Sequence, residues 1–222
     1  MSVPSSILAN TRRATSLPAL TVMKHEKRIM MSVRQGVDVE KLEAFRGFLT
    51  ENPDKGQLGL EVKAVYEGQA GRSTVHVGKY ELDGETIDRD TRHYTFPFGA
   101  WREVEELLGV EGPTDRMEPV EMALAATAAC VVNALTYNST RLGIDTEGVE
   151  VTIRENVDPR VLFALREPSD HASCLGGLDI EIKVRGEISD DELATLSDLA
   201  SYSPVYGLIA ESVPVKHQVS RA

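Results

Sequence analysis

The chain has 222 residues, with Asp+Glu 35 against Lys+Arg 24 and a formal net charge of -11. That sign argues against nucleic acid or an anionic membrane surface as a partner, because both are polyanions. Two cysteines cannot build a disulfide framework and fit a reducing, cytoplasmic setting. With five scattered histidines they show no metal-ligand spacing, so neither a metal nor a cofactor is expected.

Hydrophobic residues at 41% and charged residues at 27% are ordinary globular proportions. No stretch is read as the roughly 20 apolar residues needed to span a bilayer. Residues 1–36 read as a flexible N-terminal extension and 37–222 as one domain. The first 23 residues carry Ser, Thr, Pro and Arg, with no acid before Glu26. A tail is the plain reading, and an organelle-targeting peptide is the alternative.

Leu42, Phe45 and Leu49 recur at helical spacing, and Asn52-Pro53 stops that helix. Leu60, Val62, Ala64 and Tyr66 alternate, and after Gly68–Gly71 so do Thr74–Val77. This predicts a β-hairpin whose turn holds Gly71-Arg72. Tyr80–Leu82 runs into an Asp83-Gly84 turn. Thr91–Phe98 is a further strand, Arg102–Leu108 a short helix and Gly112–Asp115 a loop.

Pro119 then opens an Ala- and Leu-rich segment that ends before Gly143. At 1.5 Å per residue its length is ~35 Å. From Met122 to Leu135 it is almost uncharged, which predicts a helix buried on all sides, with Cys130 in its middle. Glu121, Thr127 and Asn133 would then need partners. Val149–Ile153 and Leu178–Val184 alternate as strands around a polar excursion, Asp158–Gly177, that contains Cys174. Ser189 and Glu192 make a capping box for a helix carrying Leu193, Leu196 and Leu199. Ser203-Pro204 interrupts it, and Val213-Pro214-Val215 begins a closing edge strand. The order predicts an α+β domain.

This order, with Pro119–Cys130 and the later Ser203-Pro204-Val205-Tyr206-Gly207-Leu208, resembles the OsmC/Ohr family of osmotically induced and organic-hydroperoxide-resistance proteins. The resemblance runs from about Val37 to Val219. It looks most like a branch with serine in place of the second cysteine. It implies antiparallel sheets wrapping long central helices in an intertwined homodimer. The resemblance also implies peroxiredoxin-like reduction of organic hydroperoxides, a stress response, by a thiolate at the position of Cys130.

An arginine and a glutamate complete the site in that family. Arg72 resembles the Gly-Arg of one branch, Arg92 lies where another carries its arginine, and Arg116 is a third candidate near the helix start. The family's acid position is Val120 here. Glu121 lies nine residues before Cys130, about 180° around a straight helix. The resolving-cysteine position is Ser203, which forms no disulfide. Cys174 either reaches Cys130 or is an ordinary loop thiol. Two readings follow: a one-cysteine hydroperoxide reductase served by an external thiol, or a non-peroxidase dimer whose interfacial cavity binds a small apolar ligand. A purely structural role is permitted by the acidic surface and supported by no feature.

Overall fold

A computed structural model describes residues 33–211 and 213–221. Of the extension expected over residues 1–36, residues 1–32 lie outside the described residues. The first element was not foreseen. Strands β1 (Val33–Arg34) and β2 (Val37–Asp38) pair antiparallel across Gln35 and Gly36, at φ 48 and 78. Two central residues at positive φ match the twist of a tight hairpin. The Gln35 amide docks on the far end of the long helix: Nε2 donates to Thr146 Oγ1 at 2.6 Å, and Oε1 accepts from Thr140 Oγ1 at 2.8 Å. Helix α1 (Val39–Glu51) follows, capped by Asp38, which accepts from the Lys41 N–H, and ended at Asn52 before Pro53 as expected.

The predicted hairpin is strands β3 (Leu58–Tyr66) and β4 (Ser73–Leu82), with a bulge between Leu60 and Val62. Beyond the Asp83-Gly84 turn, β5 (Glu85–Ile87) pairs with the end of β4, and β6 (Tyr94–Phe98) pairs with its beginning. Pro97 in β6 is tolerated because, among the described residues, β6 pairs along its length with β4 alone and is bridged on its other side only at Phe98, to Met117. The apolar face of β3 faces open space: Leu60 is 77% and Tyr66 65% exposed.

After helix α2 (Arg102–Leu107) comes the long helix α3 (Pro119–Leu142), with Pro119 in its first turn and Gly143 as a left-handed C-cap at φ 80. The expected burial on all sides is corrected by the structure. Thr127, Val131, Ala134, Leu135, Ser139 and Thr140 are buried, but Ala123, Ala125, Ala126, Ala129 and Asn133 are exposed. The cause is supply. The core of the described chain gathers Val131 and Leu135 with Ile144, Leu196 and Leu199, and Val149, Val151, Ile182 and Val184 pack against it. That cover reaches only the C-terminal half of α3. The expectation that no segment could span a bilayer is also corrected, since α3 is long and apolar enough by length and composition. Its packed face nevertheless carries Thr127, Ser139 and Thr140, and the Thr127 hydroxyl donates to the Ala123 carbonyl at 2.7 Å.

Strands β7 (Gly148–Arg154) and β8 (Asp179–Arg185) pair antiparallel in unbroken register from Gly148↔Arg185 to Arg154↔Asp179. The excursion between them holds a one-turn helix, α4 (His171–Cys174), and a bridge between Val157 and Leu175. Helix α5 (Asp190–Leu199) has the Ser189–Glu192 capping box. A 3-10 turn over Ala200–Tyr202 then leads to α6 (Pro204–Ala210), capped by Ser203. The closing strand expected at Val213 is not formed. Residues 213–221 are irregular and pair with no strand among the described residues. Pro214 has no N–H to give a ladder. The class is α+β, as expected: antiparallel sheets and a long central helix.

Candidate functional site

The hairpin turn between β3 and β4 builds a charged nest. Gly68 and Gly71, at φ 89 and 79, fold the turn back so that Arg72 points to the segment before α3. Its guanidinium donates from Nε to Glu105 Oε1 at 3.0 Å and from Nη2 to Glu105 Oε2 at 2.6 Å. Nη2 also donates to the Gly112 carbonyl at 2.9 Å, and Nη1 to Gln69 Oε1 at 2.6 Å. The two side chains are 10% and 4% exposed. Glu105 Oε2 accepts in addition from the Thr114 N–H at 2.6 Å. The Arg72 hydrogen bonds first, and the Thr114 N–H second, hold the Glu105 carboxyl down to about 2. A charge pair removed from water needs this completeness of hydrogen bonding.

A second pair lies beside it. Arg116 Nη1 donates to Glu67 Oε2 at 2.8 Å, and Glu67 Oε1 accepts from the Thr74 hydroxyl at 2.5 Å. Bonds from Thr74 and then Arg116 keep the Glu67 carboxyl below the usual carboxylate range. Gly99 is the floor of the nest. A Cβ there would lie 2.9 Å from Arg116 Cδ and 3.2 Å from Glu105 Oε1.

Of the three candidate arginines, two therefore share one nest. Arg92 is elsewhere, donating from Nε to the Gly78 carbonyl at 3.2 Å, with its guanidinium carbon 4.9 Å from the Tyr80 ring centre. Glu121 forms the capping box of α3, accepting from the Glu118 N–H at 3.0 Å. Ser203 is buried and accepts from the Tyr206 N–H at 3.1 Å. The two thiols exchange the environments expected of them. Cys130 is half-buried rather than sealed, Cys174 is buried rather than loose, and both are free. The Cys174 carbonyl accepts from the Asp158 N–H at 2.8 Å. Within the described residues of one chain, Cys130 Sγ makes no hydrogen bond to Arg72, Arg92 or Arg116.

Glu105 escaped the sequence reading. Glu103, Glu105 and Glu106 crowd one short helix, and nothing in their order marks the middle one as buried. Only its distance to a turn 33 residues earlier does so.

Cys130 lies on an open stripe. Ala123, Ala126, Cys130, Asn133 and Tyr137 recur at three- and four-residue intervals, on a stripe centred about 120° around the helix from the buried stripe of Thr127, Val131 and Leu135. The class is thus an α+β protein built on a half-covered central helix that presents a thiol. Residues 112–218 match the family model of OsmC-like protein. An OsmC like protein from Mycoplasma pneumoniae is 13% identical, with 68% of this chain and 86% of that one covered at a TM-score of 0.46. An organic hydroperoxide resistance protein from Elizabethkingia anophelis is 17% identical, covering 69% and 87% at 0.44. The organic hydroperoxide resistance protein OsmC of Legionella pneumophila is 20% identical, covering 68% and 88% at 0.41. No curated protein matches the chain.

Proposed function

We propose that the protein is a homodimeric, cytoplasmic thiol peroxidase that reduces organic hydroperoxides through Cys130. The observation that carries the reading is the position of that thiol. It is half-buried on a stripe of α3 that the described residues of its own chain leave uncovered, inside the OsmC-like stretch. A second copy supplies the missing cover. The open apolar face of β3, with Leu58, Leu60, Val62 and Tyr66, is the matching surface. Cys130 then lies at the seam between two chains, where an apolar peroxide is desolvated beside it.

The chemistry needs a thiolate, because the thiol is a poor nucleophile. Cys130 lies too deep in α3 for the helix dipole, which acts mainly in the first turn. The charge that stabilises the thiolate comes from Arg72, carried on the hairpin of the second copy. The Cys130 thiolate attacks the terminal peroxide oxygen, the O–O bond breaks, and the alkoxide leaves with a proton as alcohol. The sulfur becomes a sulfenic acid. With serine at position 203, an external thiol condenses with it, releasing water, and a second thiol frees Cys130 as a disulfide departs.

Treating the reduced full-length protein with stoichiometric cumene hydroperoxide and trapping sulfenic acid with a dimedone probe tests this. Label on Cys130, located by mass spectrometry, is expected. An unlabelled Cys130 would overturn the reading. A second reading is favoured by Val120 and by Ser203, whose buried oxygen is committed to capping α6. Here the same seam binds a small apolar ligand without redox chemistry, and Cys130→Ser retains full ligand binding.

A further inference from the structure

We infer that Asn133 binds the hydroperoxide group of the substrate beside Cys130. The inference rests on the reading above, in which the open stripe of α3 meets a second copy and the thiol meets an organic hydroperoxide. Helix α3 carries Ser, Thr and Asn side chains at Thr127, Asn133, Thr136, Asn138, Ser139 and Thr140. All but Asn133 are engaged within the chain. Thr127 donates to the Ala123 carbonyl at 2.7 Å, Thr136 to the Val132 carbonyl at 2.8 Å, and Asn138 Nδ2 to the Ala134 carbonyl at 2.8 Å. Ser139 donates to the Thr136 carbonyl at 3.1 Å and Thr140 to Gln35 Oε1 at 2.8 Å. The Asn133 carboxamide makes no hydrogen bond among the described residues. Asparagine is also a poor helix former, so an idle one in an alanine-rich helix gains nothing inside its own chain.

Its place on the helix gives the amide a task. Asn133 lies three residues beyond Cys130 on the same open stripe. Residues so spaced are surface neighbours, with Cβ atoms about 5–6 Å apart. Helical side chains lean towards the N-terminus, which carries the carboxamide over the turn that bears the sulfur. The Tyr137 phenol, on the same stripe, stands two turns away, about 10 Å along the axis. A second copy over the stripe removes the Asn133 amide from water, and a desolvated amide needs a partner. A hydroperoxide matches it at two points. Oδ1 accepts from the terminal O–H, and Nδ2 donates to the inner oxygen, the one bonded to carbon. That grip turns the terminal oxygen towards the Cys130 thiolate. The S–O bond then forms to the terminal OH, and the O–O bond breaks with its electron pair on the inner oxygen. Solvent supplies the proton that turns the alkoxide into alcohol. The Nδ2 hydrogen bond strengthens as charge grows on the inner oxygen, so it stabilises the transition state more than the bound substrate.

The test sets two reactions of Cys130 against each other in the full-length protein, followed at that residue by mass spectrometry. Oxidation by cumene hydroperoxide uses the carboxamide. Alkylation by iodoacetamide reports the thiolate and its access, with no peroxide to hold. Asn133→Leu is close in volume and has no polar group. It is expected to slow oxidation about a hundredfold, the low end of the loss for one missing donor to a developing oxyanion. Alkylation and the mass by sedimentation equilibrium are expected to stay as in the wild type. Asn133→Ala is expected to change the ratio of the two rates in the same direction, and serves if the leucine variant fails to assemble. An Asn133 that acts through the thiol slows both reactions together. An Asn133 that pairs with its twin across the seam changes the sedimentation mass and leaves the ratio of rates unmoved. Either result, with wild-type Cys130 oxidised by peroxide, overturns the inference and leaves the peroxidase reading standing. A wild-type Cys130 that takes iodoacetamide but resists peroxide ends both.

Discussion

The two ends of helix α3 make the most instructive comparison in the molecule. The N-terminal half is the more alanine-rich and the C-terminal half carries Asn133, Thr136, Asn138 and Arg141, yet it is the C-terminal half that is packed and the N-terminal half that is open. The C-terminal half lies on β7, β8 and α5, with Val131 and Leu135 fully enclosed. The N-terminal half leaves Ala123, Ala125, Ala126 and Ala129 exposed. The two sheets repeat the contrast. Val149, Val151, Ile182 and Val184 on β7 and β8 pack on the core, whereas Leu58, Leu60 and Val62 on β3 do not. An amphipathic element stays in register because one face is buried. A sheet and a half-helix that are apolar and uncovered in one chain are the two surfaces that the proposed dimer brings together, and the thiol sits on one of them.

Substitutions sharpen this contrast in order of expected effect. Leu135→Ala, in the packed half, removes a fully enclosed side chain and is expected to cost roughly 3 kcal/mol in chemical denaturation, the usual range for such a cavity. Gly143→Ala is expected to cost about 1 kcal/mol or more, since alanine is strained at positive φ. The new Cβ would also lie 2.4 Å from Arg34 Nη1, so the loss should be partly recovered by Arg34→Ala. Ser189→Ala, which removes one half of a capping box on α5, is expected to cost about 1 kcal/mol.

The nest responds to acid. The Glu105 carboxyl is depressed from 4.5 to about 2 in the folded chain. A lowered folded value means that the folded state binds fewer protons in this window than the unfolded state. The stabilisation from Glu105 is thus complete above about pH 4.5 and is lost as pH falls towards 2. A pH series of thermal melts is expected to steepen across that window and to be flatter in Glu105→Gln. Equal slopes in the two proteins would remove Glu105 from the account of acid stability.

Much of the fold was legible in the sequence because it is written in local chemistry. Pro119 and Gly143 bracket α3, Ser189 and Glu192 open α5, and the alternation in Leu58–Tyr66 gives a strand. The failures share a cause. Burial of α3, pairing of the segment after Val213, and the contact between Arg72 and Glu105 all depend on what lies across space from a residue. Composition indicated that α3 is apolar all round, but not that its own chain has cover for only half of it. The family resemblance pointed to Cys130 and to several arginines. It could not single out Glu105, an acid among acids whose role appears only when the hairpin turn folds over it.

The central claim, that the open stripe of α3 faces a second copy, is tested most directly by the mass of the protein in solution. Sedimentation equilibrium at micromolar concentration is expected to give about twice the 24.3 kDa of one chain. Ala126→Arg, on the same stripe as Cys130, is expected to return the mass to that of one chain with an unchanged far-ultraviolet circular dichroism spectrum. A wild-type protein that sediments as a single subunit contradicts the account.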